Sequence, residues 1–155
     1  MKRRIFTVAI IAVSLMFVAG GIYAGTTVPD VIKMENKTYK DHKKSIVTFD
    51  HKKHVEAYKA TCGDCHHDDK GKPLTALKPG DNVKGCIECH KKPGYITGKA
   101  AKELSNAQKL EYHANALHDN CKGCHKKYNK DKGLKSKDAG AAPTLCSQCH
   151  PKEKK

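Results

Sequence analysis

Eight cysteines carry the chemistry written in this chain: Cys62, Cys65, Cys86, Cys89, Cys121, Cys124, Cys146 and Cys149. They form four pairs of one spacing, and a histidine follows each pair at once: CGDCH, CIECH, CKGCH and CSQCH. Cys-x-x-Cys alone fits a disulfide scaffold or a zinc ribbon. Neither needs a histidine in the same place four times. Cys-x-x-Cys-His is the attachment signal for c-type haem. Its two thiols form thioethers to the porphyrin, and the next residue offers an imidazole to the iron. The expectation is four covalently attached haem c groups, with His66, His90, His125 and His150 as their first axial ligands.

Each haem iron has a second axial position. Six further histidines are present: His42, His51, His54, His67, His113 and His118. Past the N-terminal segment Met34 is the only methionine, so methionine serves one iron at most. His66 and His67 cannot close one haem from opposite faces, because consecutive α-carbons lie only about 3.8 Å apart. If His67 ligates, it joins a second haem to the first through one peptide bond. In FDHKKHVEAYK a helix should start at Asp50, a good N-cap. His51 and His54 then share one face and should hold different irons. A further helix is expected over Lys99–Asn120, with Ala100, Leu104, Ala107, Leu110, Ala114 and Leu117 as its apolar stripe. At 100° per residue His118 falls about 35° from the stripe's centre and His113 about 105° from it. His118 is therefore expected to face the haems and His113 their edge. His42, in KDHKK, reads as a solvated side chain. His51, His54, His67 and His118 are the expected second ligands.

The elements that must position these groups are sparse. Residues 1–24 have a basic start, an apolar run and a small-residue end, the layout of a secretory signal. A retained anchor is the rival reading, because the run approaches the roughly 18 residues that can span a bilayer. Residues 25–155 would then form one exported domain. Leu, Ile, Val and Phe number only 17 in those 131 residues, about 13%. With so few apolar side chains and high net charge, a chain without a cofactor should stay disordered. Four haems would supply the missing core. The expected fold is small, α-rich and mostly irregular. A short N-terminal β-hairpin should pair Val31–Met34 with Ile46–Phe49. Short helical turns should carry the haem motifs, and KGKPLTALKPGDN and KDKGLKSKDAGAAP should be loops.

The run VPDVIKME, the run VTFDHKKH, the motif CGDCHH, the segment YHANALHD and the last two Cys-x-x-Cys-His motifs together resemble the tetrahaem cytochrome c3 family. These are the class III c-type cytochromes of anaerobic bacteria. The resemblance covers most of residues 28–150. It implies four ligand pairs: His51 with His66, His67 with His90, His54 with His125, and His118 with His150. The chain departs from the family in three places. Many members have four residues between the cysteines of the second and fourth motifs, and here every motif has two. Only Asp119 and Asn120 separate His118 from Cys121, and the link from His67 to Cys86 is long.

Bis-histidine iron has no open position, so the reading is an electron carrier and not an enzyme. Histidine in place of methionine lowers the potential. The resemblance implies periplasmic electron transfer between redox enzymes such as hydrogenase and membrane-bound cytochrome complexes. Residues 25–155 hold 27 lysines, no arginine and 16 acids. Lysines cluster beside the third and fourth motifs, in KGCHKKYNKDKGLKSK and PKEKK, and that face should steer acidic redox proteins. Nucleic acid is not an expected partner, since arginine and interleaved aromatics are missing. The membrane is a partner only if the N-terminal segment is retained. Two alternatives stand beside the carrier: a multihaem reductase, with one haem left open near His118, and an extracellular or filament-forming conduit using His42.

Overall fold

The computed structural model describes residues 28–152. The segment 1–24, read as a signal or anchor, lies outside the described residues. Strands β1 (Val31–Lys33) and β2 (Thr48–Asp50) pair antiparallel, with Ile32 opposite Phe49. The expected hairpin is present, with its second strand shifted toward Asp50. The Met34 amide continues the ladder to the Val47 carbonyl at 2.9 Å. Helix α1 (His51–Glu56) follows without a break. Asp50 caps it as expected, its Oδ1 accepting from the Lys53 amide at 2.9 Å.

Short helices α2 (Cys62–Cys65), α3 (Cys86–Cys89) and α7 (Cys146–Cys149) carry three of the motifs. The third motif is different. It lies inside α6 (His113–Asp131), a helix of 19 residues and the longest described. The expected helix over Lys99–Asn120 is a correction. That segment divides into α4 (Gly98–Lys102), α5 (Asn106–Leu110) and the start of α6. The reason is local. The Ser105 hydroxyl accepts from the Gln108 amide at 3.2 Å, and Gln108 Oε1 accepts from the Ser105 amide at 2.9 Å. This reciprocal box starts a new helix, so no single stripe runs from Ala100 to Leu117.

The start of α6 is tied to the chain beyond the second motif. The Lys92 amide donates to the Glu111 carbonyl, and the His113 amide donates to the Lys92 carbonyl, each at 2.9 Å. Its far end closes with the Gly133 amide on the Lys130 carbonyl at 3.1 Å and the Leu134 amide on the Asn129 carbonyl at 2.8 Å. Gly133 has φ of 65°, which a residue without Cβ adopts without strain.

Among the described residues Ala116 is the one buried apolar side chain, at 8% exposure, and no large side chain is fully buried. The other buried residues are polar: His113, Asn129 and Thr144. A two-stranded hairpin and short helices are marginal on their own. The polypeptide by itself therefore supplies almost no hydrophobic term to offset its ordering entropy. Among the described residues no helix is long and apolar enough to cross a membrane.

Candidate metal and cofactor site

Each of the three short motif helices is built by the residue before its second cysteine. Asp64 Oδ2 accepts from the Thr61 amide at 2.7 Å and from the Thr61 hydroxyl at 2.8 Å. Glu88 Oε1 accepts from the Gly85 amide, and Gln148 Oε1 accepts from the Leu145 amide at 2.9 Å. These contacts satisfy backbone donors that a one-turn helix leaves without helical partners. The bonds with Thr61 hold the Asp64 carboxyl below the usual carboxylate range. Each turn then closes on its histidine. The amides of His66, His90 and His150 donate to the carbonyls of Cys62, Cys86 and Cys146 at 2.8, 2.9 and 2.8 Å. In α6 the third motif has Gly123 at the corresponding place, and the surrounding helix satisfies its backbone.

The structure brings the expected ligand histidines together in twos. Ring centroids of His54 and His125 lie 6.2 Å apart, those of His67 and His90 6.0 Å, and those of His118 and His150 6.2 Å. A metal–imidazole bond of about 2.0 Å on each side, plus roughly 1.1 Å from ring nitrogen to centroid, separates two trans imidazoles by about 6.2 Å. His51 lies close enough to His66 for its charge to act there. Burial is the larger cause of the lowered His66 pKa, with the charges of His51 and then His67 adding to it.

Six of these eight imidazoles face a backbone carbonyl through Nδ1. His54 meets the Asp50 carbonyl at 2.7 Å, His67 that of Asp68 at 2.7 Å, and His118 that of Ala114 at 2.5 Å. His90 meets the Leu110 carbonyl at 2.5 Å, His125 that of Pro143 at 2.7 Å, and His150 that of Ser45 at 2.7 Å. A carbonyl has no proton to give, so Nδ1–H is the donor in every case. Nε2 then keeps its lone pair, the tautomer that binds a metal.

Several contacts hold these rings in place. Phe49 packs on His54 at 4.6 Å and on His51 at 6.0 Å between centroids. Tyr95 lies 4.5 Å from the His118 ring. The carbonyl that His67 uses belongs to Asp68, whose Oδ1 gathers the amides of Lys70 and Lys72 at 2.9 and 2.8 Å. The turn after CGDCHH therefore anchors His67.

No disulfide joins any of the eight cysteines. Desolvation by the surrounding chain pushes the Cys121 thiol up to about 11, although its surface remains open to solvent. The neighbouring thiols of Cys65, Cys149, Cys86 and Cys124 add to that rise. The other three motifs thus approach the third. Among the described residues no group of three His, Cys, Asp or Glu side chains gathers as a bare ion would need. Histidines in twos, each with a free Nε2, instead suit an iron whose other four ligands come from a porphyrin.

The two remaining histidines sit elsewhere. His42 is exposed, and its ring stacks on Tyr39 at 5.3 Å. His113 corrects the expectation of an edge position. It is 8% exposed, more buried than His118, and its Nδ1 lies 2.9 Å from the Tyr39 hydroxyl. The angle assigned to it assumed one helix, whereas His113 is the first residue of α6 and takes its place from the Lys92 bridge. The capping role of Asp64, Glu88 and Gln148 was legible as an acid or amide three residues after each turn's start. The contacts of Tyr95, Asn115 and Asn129 had no such signal.

A family model described as the Class III cytochrome C family matches residues 28–154. No curated protein matches the chain.

Proposed function

The chain belongs to the class III cytochrome c family, and from that premise we propose that it is a periplasmic low-potential electron carrier holding four bis-histidine c-type haems. Class III cytochromes carry electrons and are not catalytic enzymes. When bound, the haems supply one-electron chemistry at iron. The chain's residues do the rest. Cys62 with Cys65, Cys86 with Cys89, Cys121 with Cys124, and Cys146 with Cys149 tether the four groups. His51 with His66, His67 with His90, His54 with His125, and His118 with His150 would hold the four irons. The backbone carbonyls on Nδ1 raise imidazole basicity and so favour the oxidised state, which lowers the potential.

The observation that supports this reading most is the 6.0–6.2 Å spacing of three histidine pairs, each ring with Nδ1 committed to a carbonyl where that contact is present. A low-temperature spin-resonance spectrum with haem counting tests it. Four haems are expected, all low-spin, and His67→Ala should retain four while turning one high-spin. Fewer than four haems would overturn the reading, and high-spin iron in the unmodified protein would overturn it in favour of a reductase.

The lysine-rich surface supports acidic redox proteins as partners, such as hydrogenase or membrane-bound cytochrome complexes. Exposed charges are screened over about 8 Å at physiological salt. Electron exchange with an acidic protein should therefore slow as ionic strength rises, and a salt-independent rate would exclude steering by this face.

A further inference from the structure

Asn129 is the most deeply buried of the described residues, at 5% exposure. It is polar, so its burial is costly unless its amide is satisfied. Its carboxamide is spent on one backbone residue. Nδ2 donates to the Ala142 carbonyl at 2.9 Å, and Oδ1 accepts from the Ala142 amide at 2.7 Å. The residue after Ala142 is Pro143, whose carbonyl accepts from His125 Nδ1 at 2.7 Å. His125 lies four residues before Asn129 on α6, so both side chains leave the same helical face.

The Pro143 carbonyl is held from both sides. Upstream, the two bonds from Asn129 fix the Ala142 peptide groups, and the proline ring fixes its own φ near about −65°. Downstream, the Thr144 amide donates to Gln148 Oε1 at 2.9 Å, and the Thr144 hydroxyl donates to the Ser136 hydroxyl at 2.8 Å. Little freedom is left for the carbonyl to turn away from His125.

We propose that Asn129 is a positioning residue for an axial ligand: its clamp on Ala142 aims the Pro143 carbonyl at His125 Nδ1 and thereby sets the tautomer, orientation and basicity of that imidazole. The proposal rests on the reading of His125 as a haem ligand. A plain structural staple would bind the loop equally well. What separates the two roles is that the clamped residue adjoins the acceptor His125 uses. The same helix supplies a built-in control. Asn115 makes the same two bonds to one backbone residue, Ile96, at 2.9 and 3.0 Å. Among the described residues no ring nitrogen bonds a carbonyl next to Ile96; its neighbour Tyr95 meets His118 through a ring contact.

The test measures the four midpoint potentials and the haem-methyl proton shifts of the holoprotein. Asn129→Ala should keep four haems. It should raise the potential of the haem tethered by Cys121 and Cys124, because a less basic imidazole stabilises oxidised iron less. That haem's methyl shift pattern should change, and the other three should not. Asn129→Gln keeps both the donor and the acceptor of the carboxamide and should move the same haem less, which covers the case of a poorly folding alanine variant. Asn115→Ala should lower the melting temperature without moving this haem's potential. A folded Asn129 variant with lowered melting and four unmoved potentials would overturn the proposal. Missing low-spin haems in the unmodified protein would instead sink the ligation reading.

Discussion

In the first, second and fourth motifs the residue before the second cysteine is Asp64, Glu88 or Gln148, and each reaches back to the backbone amide that opens its turn. In the third motif that place holds Gly123, inside a helix of 19 residues. An isolated turn leaves backbone donors without helical partners, so it needs its own cap. A motif embedded in a helix has those donors satisfied already, and a cap there would have nothing to bind. The contrast carries over to the histidines. The turns of the second and fourth motifs present one each, and the first presents His66 with His67 directly after it. Helix α6 presents His118 and His125, seven residues apart, about 10.5 Å along the axis and nearly on one face. The long helix therefore spaces two proposed haem sites about two turns apart, whereas His66 and His67 after the first motif would join two through a single peptide bond.

Breaking α6 should have the largest effect. Lys122→Pro removes a helical hydrogen bond and introduces a clash, at about 3 kcal/mol or more. Because the break falls between His118 and His125, two of the four proposed haems should lose low-spin ligation together. Spin-resonance counting checks this, and loss confined to a single haem would show that the two halves of α6 act independently.

Removing a cap from a short turn should be smaller and local. Asp64→Ala should cost about 1 kcal/mol, typical of a lost N-terminal cap, and disturb only the haem of Cys62 and Cys65. Thermal unfolding and haem-by-haem spectra check it. Acid should act on the same contact more weakly still. The folded Asp64 carboxyl is lowered by its bonds to Thr61, so its contribution is present above the unfolded carboxylate's pKa and fades as pH falls through the lowered folded value. Comparing the acid sensitivity of the unmodified protein with that of Asp64→Asn isolates this effect. The third motif has no acid at the equivalent place and should not share it.

Much of the fold was legible where a side chain announces it. Asp50 before His51 marked the start of α1, and the β-rich runs on either side of Lys37–Lys44 marked the hairpin. The helix expected over Lys99–Asn120 rests on composition and periodicity. Periodicity cannot see that the Ser105 and Gln108 side chains prefer to begin a helix than to continue one. His113 was misplaced for the same reason, since an angle on a helical wheel means nothing across two breaks.

The sequence by itself determined the inventory and its exclusions. Four Cys-x-x-Cys-His motifs, ten histidines and one methionine beyond the N-terminal segment bound the ligand chemistry. Adjacency alone separated His66 from His67. Tertiary structure decided which carbonyl holds each of six imidazoles. His54, His67 and His118 take carbonyls within four residues of themselves, whereas His90, His125 and His150 reach Leu110, Pro143 and Ser45, 20, 18 and 105 residues away. Every residue has a backbone carbonyl, so no residue type marks the one that will be used. Only the folded path of the chain brings Pro143 to His125 and Ser45 to His150.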